Sequence, residues 1–202
     1  KIGILDYKAC NLASVFHTIY NLGHDPFIIE NKEDLNKAQK IIIPGVGSAG
    51  HCMSYLEKKG FINELQKYKN KGISILGICL GMQIFSKKLT EHGISDGLGF
   101  INGEVIPINN KTKFNIGWCN VEVKNSENQN IIETNKSFFF CHSYYLSLSK
   151  VDSDKCVFGK INLNKEIPSI IIQENIMGVQ FHPEKSQANG IKLLNFFIDR
   201  FK

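Results

Sequence analysis

A single cysteine between two glycines is the residue of this sequence best placed for nucleophilic chemistry. Cys79 lies in the segment GICLGMQ, residues 77–83, and follows the apolar run at 73–76, which predicts a short buried strand. A nucleophile at a strand-to-helix turn stands exposed at the top of a sheet, and the glycines are expected to let the chain turn sharply. The pattern indicates a reactive thiol, and the competing interpretation is a cysteine that only packs in the core.

The segment FHPE, residues 181–184, supplies the partners that such a thiol needs. An imidazole near the sulfur would activate it, and a helix that begins at Leu80 would favour the thiolate and offer an N–H to an oxyanion. Residues two apart at the end of an extended strand share a face, so we expect Glu184 to orient the ring of His182. A lone histidine near a strand end is more often structural, but the two segments together predict a Cys–His–Glu triad.

Composition narrows the class of protein. The chain has 202 residues, of which 43% are hydrophobic and 21% are charged, as in a globular protein of one domain. The net charge of +5 comes almost wholly from lysine, since Arg200 is the sole arginine, and the lysines alternate with acidic and amide residues. We therefore expect no nucleic-acid partner.

Membrane and metal sites are also not expected. The longest apolar runs fall far short of a membrane span, and the chain starts on a strand-like segment without a signal-peptide pattern, so we expect no membrane association and a cytoplasmic location. The cysteines show no CxxC or Cys/His ligand spacing, which predicts reduced thiols and no metal; they are residues 10, 52, 79, 119, 141 and 156. No cofactor is expected either.

Strand and helix patterns alternate through the first half of the chain. The expected strands are 2–6, 26–30, 40–43 and 73–78. The expected helices are 11–22, 53–71 and 80 to about 88. Such alternation is typical of a parallel sheet with helices on both faces.

The second half is richer in short strands. They are expected at 100–106, 119–123, 137–142, 157–160, 169–173 and 176–181. The last two are joined by Glu174 and Asn175 and predict a tight hairpin, and a closing helix is expected over 190–201. We predict a single domain over 1–202 of the α/β class, with a mostly parallel central sheet flanked by helices and an antiparallel β extension in the second half.

The two motifs together resemble the signatures of class I, triad-type glutamine amidotransferases. The matching segments are GICLGMQ at 77–83 and FHPEKSQ at 181–187. More narrowly, the chain resembles the glutaminase subunits of imidazole glycerol phosphate synthases, which are histidine-pathway enzymes. This narrower resemblance rests on DY at 6–7, NLASV at 11–15, PGVG at 44–47, GW at 117–118 and HSYY at 142–145. The resemblance covers the whole chain and implies the same α/β fold.

The resemblance implies a glutaminase mechanism. In that mechanism Cys79 attacks the side-chain carboxamide of glutamine, His182 passes a proton to the departing ammonia, and water hydrolyses the glutamyl thioester. The family places the oxyanion on backbone N–H groups, here those of Leu80 and of the turn formed by Gly45 and Val46. A glycine–proline turn at a strand end is also often only a turn.

The resemblance also implies a substrate site and a partner. The residues that would bind glutamine are Gln83, His142, Ser143 and Tyr144. The ammonia would pass to a (βα)8-barrel cyclase or synthase subunit in a heterodimer, which makes imidazole glycerol phosphate and AICAR. The residues expected at that interface are Lys8, Cys10, Asn11 and Trp118, of which Trp118 can equally be a packing residue.

Departures from the family pattern leave the partner open. The family usually has Asp-Tyr-Gly-x-Gly-Asn where this chain has DYKACN at 6–11, so Lys8 and Cys10 replace glycines. Asn115 and Ile116 also stand where relatives usually have His-Met or similar. A paralogous role therefore stays open, in which the subunit supplies ammonia for amidation of a nucleotide-linked or surface sugar.

Two weaker alternatives concern the chemistry itself. A non-catalytic interaction subunit of the same fold would be supported by loss of a triad member, and none is lost. A hydrolase of the same fold that acts alone, such as a cysteine peptidase-like relative, is opposed by Gln83 and the segment 142–144, which suit glutamine.

Overall fold

Two β-sheets organise the chain in the computed structural model, which describes residues 1–8, 11–109, 113–123 and 132–201. The strands are β1 Ile2–Leu5, β2 Pro26–Ile29, β3 Lys40–Ile43, β4 Ser74–Ile78, β5 Lys88–Leu89, β6 Ser95–Asp96, β7 Gly103–Pro107, β8 Asn115–Val123, β9 Lys136–His142, β10 Tyr144–Leu148, β11 Val157–Asn162, β12 Glu166–Gln173 and β13 Ile176–Val179. The helices are α1 Leu12–Asn21, α2 Lys32–Leu35, α3 Ala49–Lys58, α4 Phe61–Asn70, α5 Leu80–Gln83, α6 Lys150–Cys156 and α7 Gln187–Asp199, with a 3₁₀ turn at Pro183–Lys185.

The larger sheet changes from parallel to antiparallel across its width. Within the part of the chain that the structure describes, its nine strands lie in the order β2-β1-β3-β4-β13-β12-β11-β8-β9. The pairs among the first five are parallel, and the pairs from β13 to β9 are antiparallel. A smaller sheet of four strands has the order β10-β7-β5-β6. The predicted α/β architecture with an antiparallel extension is confirmed.

Helices cover both faces of the parallel strands. Ile41 and Ile43 of β3 pack into one core cluster, whereas Ile42 packs into the other, and all three are fully buried. The first cluster includes α3 and α4 residues, and the second includes residues of α1 and α7. Burial on both faces explains why these strands read as unbroken apolar runs.

Two of the predicted helices are wrong in length. The helix expected over 53–71 is two helices, because Gly60 adopts a left-handed φ of +68° between α3 and α4. The helix expected from 80 to about 88 ends at Gln83, because the Ile84 and Phe85 carbonyls accept hydrogen bonds from the N–H groups of Leu98 and Ile101. The chain then enters β5.

Several short strands and helices were not predicted from the sequence. The strands β5, β6 and β10 and the helices α2 and α6 were not predicted, although Asn31 and Ser149 cap the two helices with their side chains. The predicted hairpin is confirmed, since Gln173 pairs with Ile176 around a two-residue turn. Among the described residues, no helix is both long and apolar enough to span a membrane, and no group of three His, Cys, Asp or Glu side chains is arranged to hold a metal ion.

Candidate active site

The turn after β4 holds Cys79 in a strained backbone conformation. Its φ of +51° and ψ of −102° lie in a region that side-chain-bearing residues rarely adopt. The prediction that the glycines allow this turn through their backbone freedom is wrong, because neither Gly77 nor Gly81 has a positive φ. They are needed for close packing, because a Cβ on Gly77 would lie 2.5 Å from the Gly81 carbonyl and one on Gly81 2.1 Å from the Ile43 oxygen.

The helix after Cys79 is a single turn of four residues. Its effect on a thiolate is therefore smaller than a long helix would provide. As the first helical residue, Leu80 has an N–H with no acceptor inside the helix. A Cβ on Gly45 would lie 2.5 Å from the Leu80 nitrogen, so the turn after β3 runs directly beside this N–H. The structure thus brings together the three residues predicted for the oxyanion, Leu80, Gly45 and Val46, at one cavity.

His182 and Glu184 form a buried pair. His182 Nδ1 lies 2.8 Å from Glu184 Oε1, and the two side chains are 1% and 0% exposed. The prediction that an extended strand aligns them is wrong, because β13 ends at Val179 and Glu184 lies in the 3₁₀ turn that Pro183 begins. The proline locks φ for this turn, which folds the carboxylate back to the ring.

Hydrogen bonds to β9 fix the backbone of His182. The His182 N–H donates to the Phe139 carbonyl at 2.9 Å, and the Ser186 hydroxyl donates to the His182 carbonyl at 2.6 Å. The Phe139 N–H in turn donates to Ser186 Oγ at 3.0 Å. Ser186 was not predicted, because a serine before a helix reads from the sequence only as a possible cap.

The environment of His182 favours its protonated form. Burial lowers the pKa, but hydrogen bonds with Cys79 and Glu184 and the negative charges of both outweigh burial and raise the pKa of His182 to about 10. Because Nδ1 faces Glu184, Nε2 is the nitrogen left for Cys79. The three predicted triad residues are therefore assembled as a connected chain.

A cavity of about 320 Å³ opens over Cys79. The residues predicted for the oxyanion and for substrate binding line it together with the nucleophile: Gly45, Val46, Cys79, Leu80, Gln83, His142, Ser143 and Tyr144. Gln83 lies one turn beyond Cys79, since its N–H donates to the Cys79 carbonyl, and its side chain donates to the Tyr144 carbonyl at 2.8 Å.

His142 is held in its neutral form. Its Nδ1 lies 2.8 Å from the Tyr144 carbonyl, which only accepts, so Nδ1 carries the proton and Nε2 accepts from the Asn115 amide at 3.2 Å. Burial is the main cause that lowers the pKa of His142 to about 4, and the positive charge of nearby His182 lowers it further. The hydrogen bond to the Tyr144 carbonyl raises the pKa but does not outweigh them. A neutral imidazole thus lies close to a protonated one.

Glu91 is a lining residue that the sequence did not reveal. It is the one carboxylate among the described residues that line the cavity, and its Oε2 accepts from the Ala49 N–H at 2.6 Å. It lies in an irregular loop between β5 and β6, where no motif marks it.

The residues predicted for a partner interface lie in different settings. Lys8 is exposed with a left-handed φ of +67° and pairs with Asp6 at 2.9 Å, and Trp118 is about half exposed. Asn11 is buried instead, and its side-chain amide donates to Glu184 Oε1 at 3.0 Å. Cys10 lies outside the described residues.

Comparisons with known proteins agree with this geometry. The family model of glutamine amidotransferase class-I matches residues 3–200. Imidazole glycerol phosphate synthase subunit HisH 1 of Campylobacter jejuni strain RM1221 is 39% identical over 202 residues, covering 98% of both chains. The subunit HisH of Methanocaldococcus jannaschii is 36% identical over 200 residues, again covering 98% of each chain.

Solved structures show the same fold at lower identity. The structure of PurLQS from Thermotoga maritima matches with a TM-score of 0.78 and 18% identity, covering all of this chain and 98% of the other. The family match and the identities over nearly the full length decide the assignment. The chain belongs to the class I glutamine amidotransferases.

Proposed function

We propose that this chain is the glutaminase subunit of an imidazole glycerol phosphate synthase and supplies ammonia for histidine biosynthesis. The observation that carries the proposal is the connected arrangement of Cys79, His182 and Glu184 under a cavity, in a chain whose HisH-named relatives match it over nearly its whole length.

The first half-reaction forms a thioester. The Cys79 sulfur attacks the side-chain carbonyl carbon of glutamine, and the electron pair of the C=O bond moves to oxygen. When the tetrahedral intermediate collapses, the C–N bond breaks and His182 Nε2 gives its proton to the leaving nitrogen, so ammonia departs. The hydrogen bond from Nδ1 to Glu184 keeps the ring oriented through this transfer.

Backbone N–H groups stabilise the oxyanion. Leu80 offers an N–H without an intrahelical acceptor, and the turn at Gly45 and Val46 runs beside it. Loss of a single donor of this type typically costs about 10²–10³ in kcat, so the exact placement of this turn sets much of the rate. The oxyanion site is therefore the point at which a bound partner can control turnover.

The second half-reaction frees the sulfur. His182, neutral after the first step, takes a proton from water, and the resulting hydroxide attacks the thioester carbon. The C–S bond breaks, glutamate leaves, and the sulfur and imidazole return to their starting states. The buried Glu184 again stabilises the imidazolium that forms.

The cavity offers complementary groups for the amino-acid end of glutamine. The Glu91 carboxylate suits the α-ammonium group, and neutral His142 adds no charge that would oppose it. Backbone groups of Ser143 and the side chain of Gln83 supply further polar contacts. A volume of about 320 Å³ is ample for one amino acid.

An apolar strip beside the cavity suits the synthase partner. Phe114 precedes β8, and Ile116 and Trp118 follow at alternate positions within it. The three side chains are 46%, 62% and 49% exposed, and the first two also line the cavity. Large apolar side chains grouped in this way mark a protein-binding surface. We assign the strip to a (βα)8-barrel synthase that receives the ammonia and releases imidazole glycerol phosphate and AICAR.

A second acceptor is favoured by one feature. Lys8 occupies a left-handed backbone position that glycine adopts without strain, and its side chain pairs with Asp6. A changed loop of this kind fits a paralogous glutaminase subunit that supplies ammonia for amidation of a nucleotide-linked or surface sugar. Purification of the chain with its native partner distinguishes the two, because the acceptor that consumes the ammonia identifies the synthase.

The test of the glutaminase is Cys79→Ala, assayed as glutamate release by the complex with the synthase. We expect no turnover with glutamine, and synthesis with ammonium salts should continue unchanged. Cys52→Ala is the matched control, since Cys52 is fully buried outside the cavity and should retain activity. Glutamine hydrolysis by the Cys79→Ala complex would overturn the proposal.

A further inference from the structure

Gln180 is a fully buried amide that contacts the nucleophile. It follows β13, and its backbone N–H donates to the Ser169 carbonyl at 2.9 Å. Its side-chain Nε2 lies 3.5 Å from Cys79 Sγ, and its Oε1 accepts from Gln83 Nε2 at 3.2 Å. A buried amide with both ends engaged cannot turn without losing a hydrogen bond.

The surroundings fix which end of this amide faces the sulfur. The Tyr144 carbonyl can only accept, so Gln83 must present its NH₂ group there. The second proton of that NH₂ group then points to Gln180 and requires an oxygen at that end. The NH₂ group of Gln180 is thereby turned to Cys79. Two amides and one carbonyl set the direction of the donor.

The sulfur has a different partner for each protonation state. The Cys141 carbonyl lies 3.7 Å from Cys79 Sγ and can accept only from the protonated thiol. Gln180 Nε2 can only donate, and a donor stabilises the thiolate. Without Gln180, the sulfur would keep the carbonyl contact that opposes its negative charge.

We propose that Gln180 stabilises the thiolate of Cys79 by donating a hydrogen bond to the sulfur, and that Gln83 holds the Gln180 amide in the donating orientation. The proposal rests on the assignment of Cys79 as the nucleophile. It adds a neutral donor to the activation that His182 provides. Among the described residues, the other titratable side chains around this site are Glu184 behind His182, and Glu91, Cys141, His142 and Tyr144 on the cavity wall.

Alkylation of Cys79 by iodoacetamide tests this role without glutamine turnover. The full chain is treated across a range of pH, and the modified fraction of the peptide that contains Cys79 is followed by mass spectrometry. Gln180→Met and Gln180→Leu remove the donor with side chains of two different shapes. Asn175→Leu is the matched control, because it removes a buried amide that donates to Lys69 and Ile73 carbonyls instead.

We expect the Gln180 variants to alkylate Cys79 about tenfold more slowly at neutral pH, as the loss of one hydrogen bond to a charged group implies. The rate should rise to the wild-type limit at high pH, because access to the sulfur is unchanged. Asn175→Leu should follow the wild-type curve. Unchanged rates in a folded Gln180 variant, or a slowing that persists at the high-pH limit, would overturn the proposal.

A measurement on the unsubstituted chain covers the case in which neither variant folds. The side-chain amide protons of Gln180, observed by ¹⁵N NMR, should shift with pH in step with Cys79 alkylation, and should lose that shift in Cys79→Ala. Gln180 amide signals that do not change with the ionisation of Cys79 would contradict the proposed hydrogen bond to the thiolate. If alkylation and NMR agree while glutamine is not hydrolysed, the proposed function fails and this inference stands.

Discussion

The turn that carries Cys79 and the apolar strip beside the cavity differ in burial and packing. The turn is buried, closely packed at Gly77 and Gly81, and tied by hydrogen bonds to β13 and to Gln180. The apolar strip beside the cavity consists of Phe114, Ile116 and Trp118, whose side chains are about half exposed. The difference separates a nucleophile held by packing and hydrogen bonds within this chain from an exposed apolar surface, which we propose contacts the synthase.

The largest expected effect is the loss of glutamine hydrolysis after a change at Glu184, which orients the ring of His182. Glu184→Gln keeps the shape of the side chain but replaces a carboxylate that accepts from His182 with an amide that can donate to it. We expect kcat for glutamine hydrolysis to fall by about 10²–10⁴ with little change in fold. Steady-state glutamate release measures this loss. The exposed Glu133→Gln serves as control, and equal activity of the two variants would break the assigned role of Glu184.

Close packing at the turn predicts the next largest effect. Gly81→Ala would place a Cβ 2.1 Å from the Ile43 carbonyl oxygen, and we expect the free energy of unfolding to fall by about 3 kcal/mol. Gly50→Ala is the matched control, because a Cβ there meets only Ser48 Oγ at 4.0 Å within helix α3. It should leave stability unchanged or raise it by about 0.5–1 kcal/mol. Urea unfolding measures the stability of both variants. Similar losses in Gly81→Ala and Gly50→Ala would contradict the claim that close packing at the turn requires Gly81.

His142 lies between the two regions and should make stability depend on pH. Its folded pKa of about 4 is below the unfolded value of about 6.5, so the unfolded chain takes up the proton first as pH falls. The contribution of His142 is therefore full above about pH 6.5 and is lost as pH falls towards 4, by up to about 3 kcal/mol. His142→Gln should lose less stability than wild type between pH 7.5 and 4.5 in urea unfolding. Parallel losses would contradict a buried neutral His142.

A substitution in the apolar strip should have the smallest effect on the stability of the isolated chain. Trp118→Ser should leave the melting temperature nearly unchanged, because the ring is half exposed. It should weaken binding to the synthase by about 1–2 kcal/mol, as truncation of an interface aromatic does. Titration calorimetry with the purified partner measures this, with the exposed Tyr20→Ser on α1 as control. Unchanged affinity would place the interface elsewhere.

Local pattern was enough to predict the parallel strands and the grouping of Cys79, His182 and Glu184. Runs such as Ile41 to Ile43 are buried on both faces, so they are apolar without interruption. The motifs around Cys79 and His182 are short continuous segments, so they can be recognised without the fold. The 3₁₀ turn at Pro183, the break at Gly60 and the single-turn helix α5 were missed, because packing against distant segments decides them.

Long-range partners were also beyond the sequence. Gln180, Glu91 and Ser186 reach the site through contacts that span about forty to a hundred residues of chain, and Asn11 reaches Glu184 across 173 positions. Ser186 and Asn11 stand in segments that resemble the family, but those segments do not show which residues they contact. Their roles follow from hydrogen bonds that only the folded chain forms.

Trapping the covalent intermediate tests the central claim most directly. The complex with the synthase is mixed with ¹⁴C-labelled glutamine, quenched in acid during turnover and digested, and the labelled peptide is identified by mass spectrometry. We predict one glutamyl group on the peptide that contains Cys79, and none in Cys79→Ala. Glutamate release without label on Cys79, or label that persists in the variant, would contradict the account.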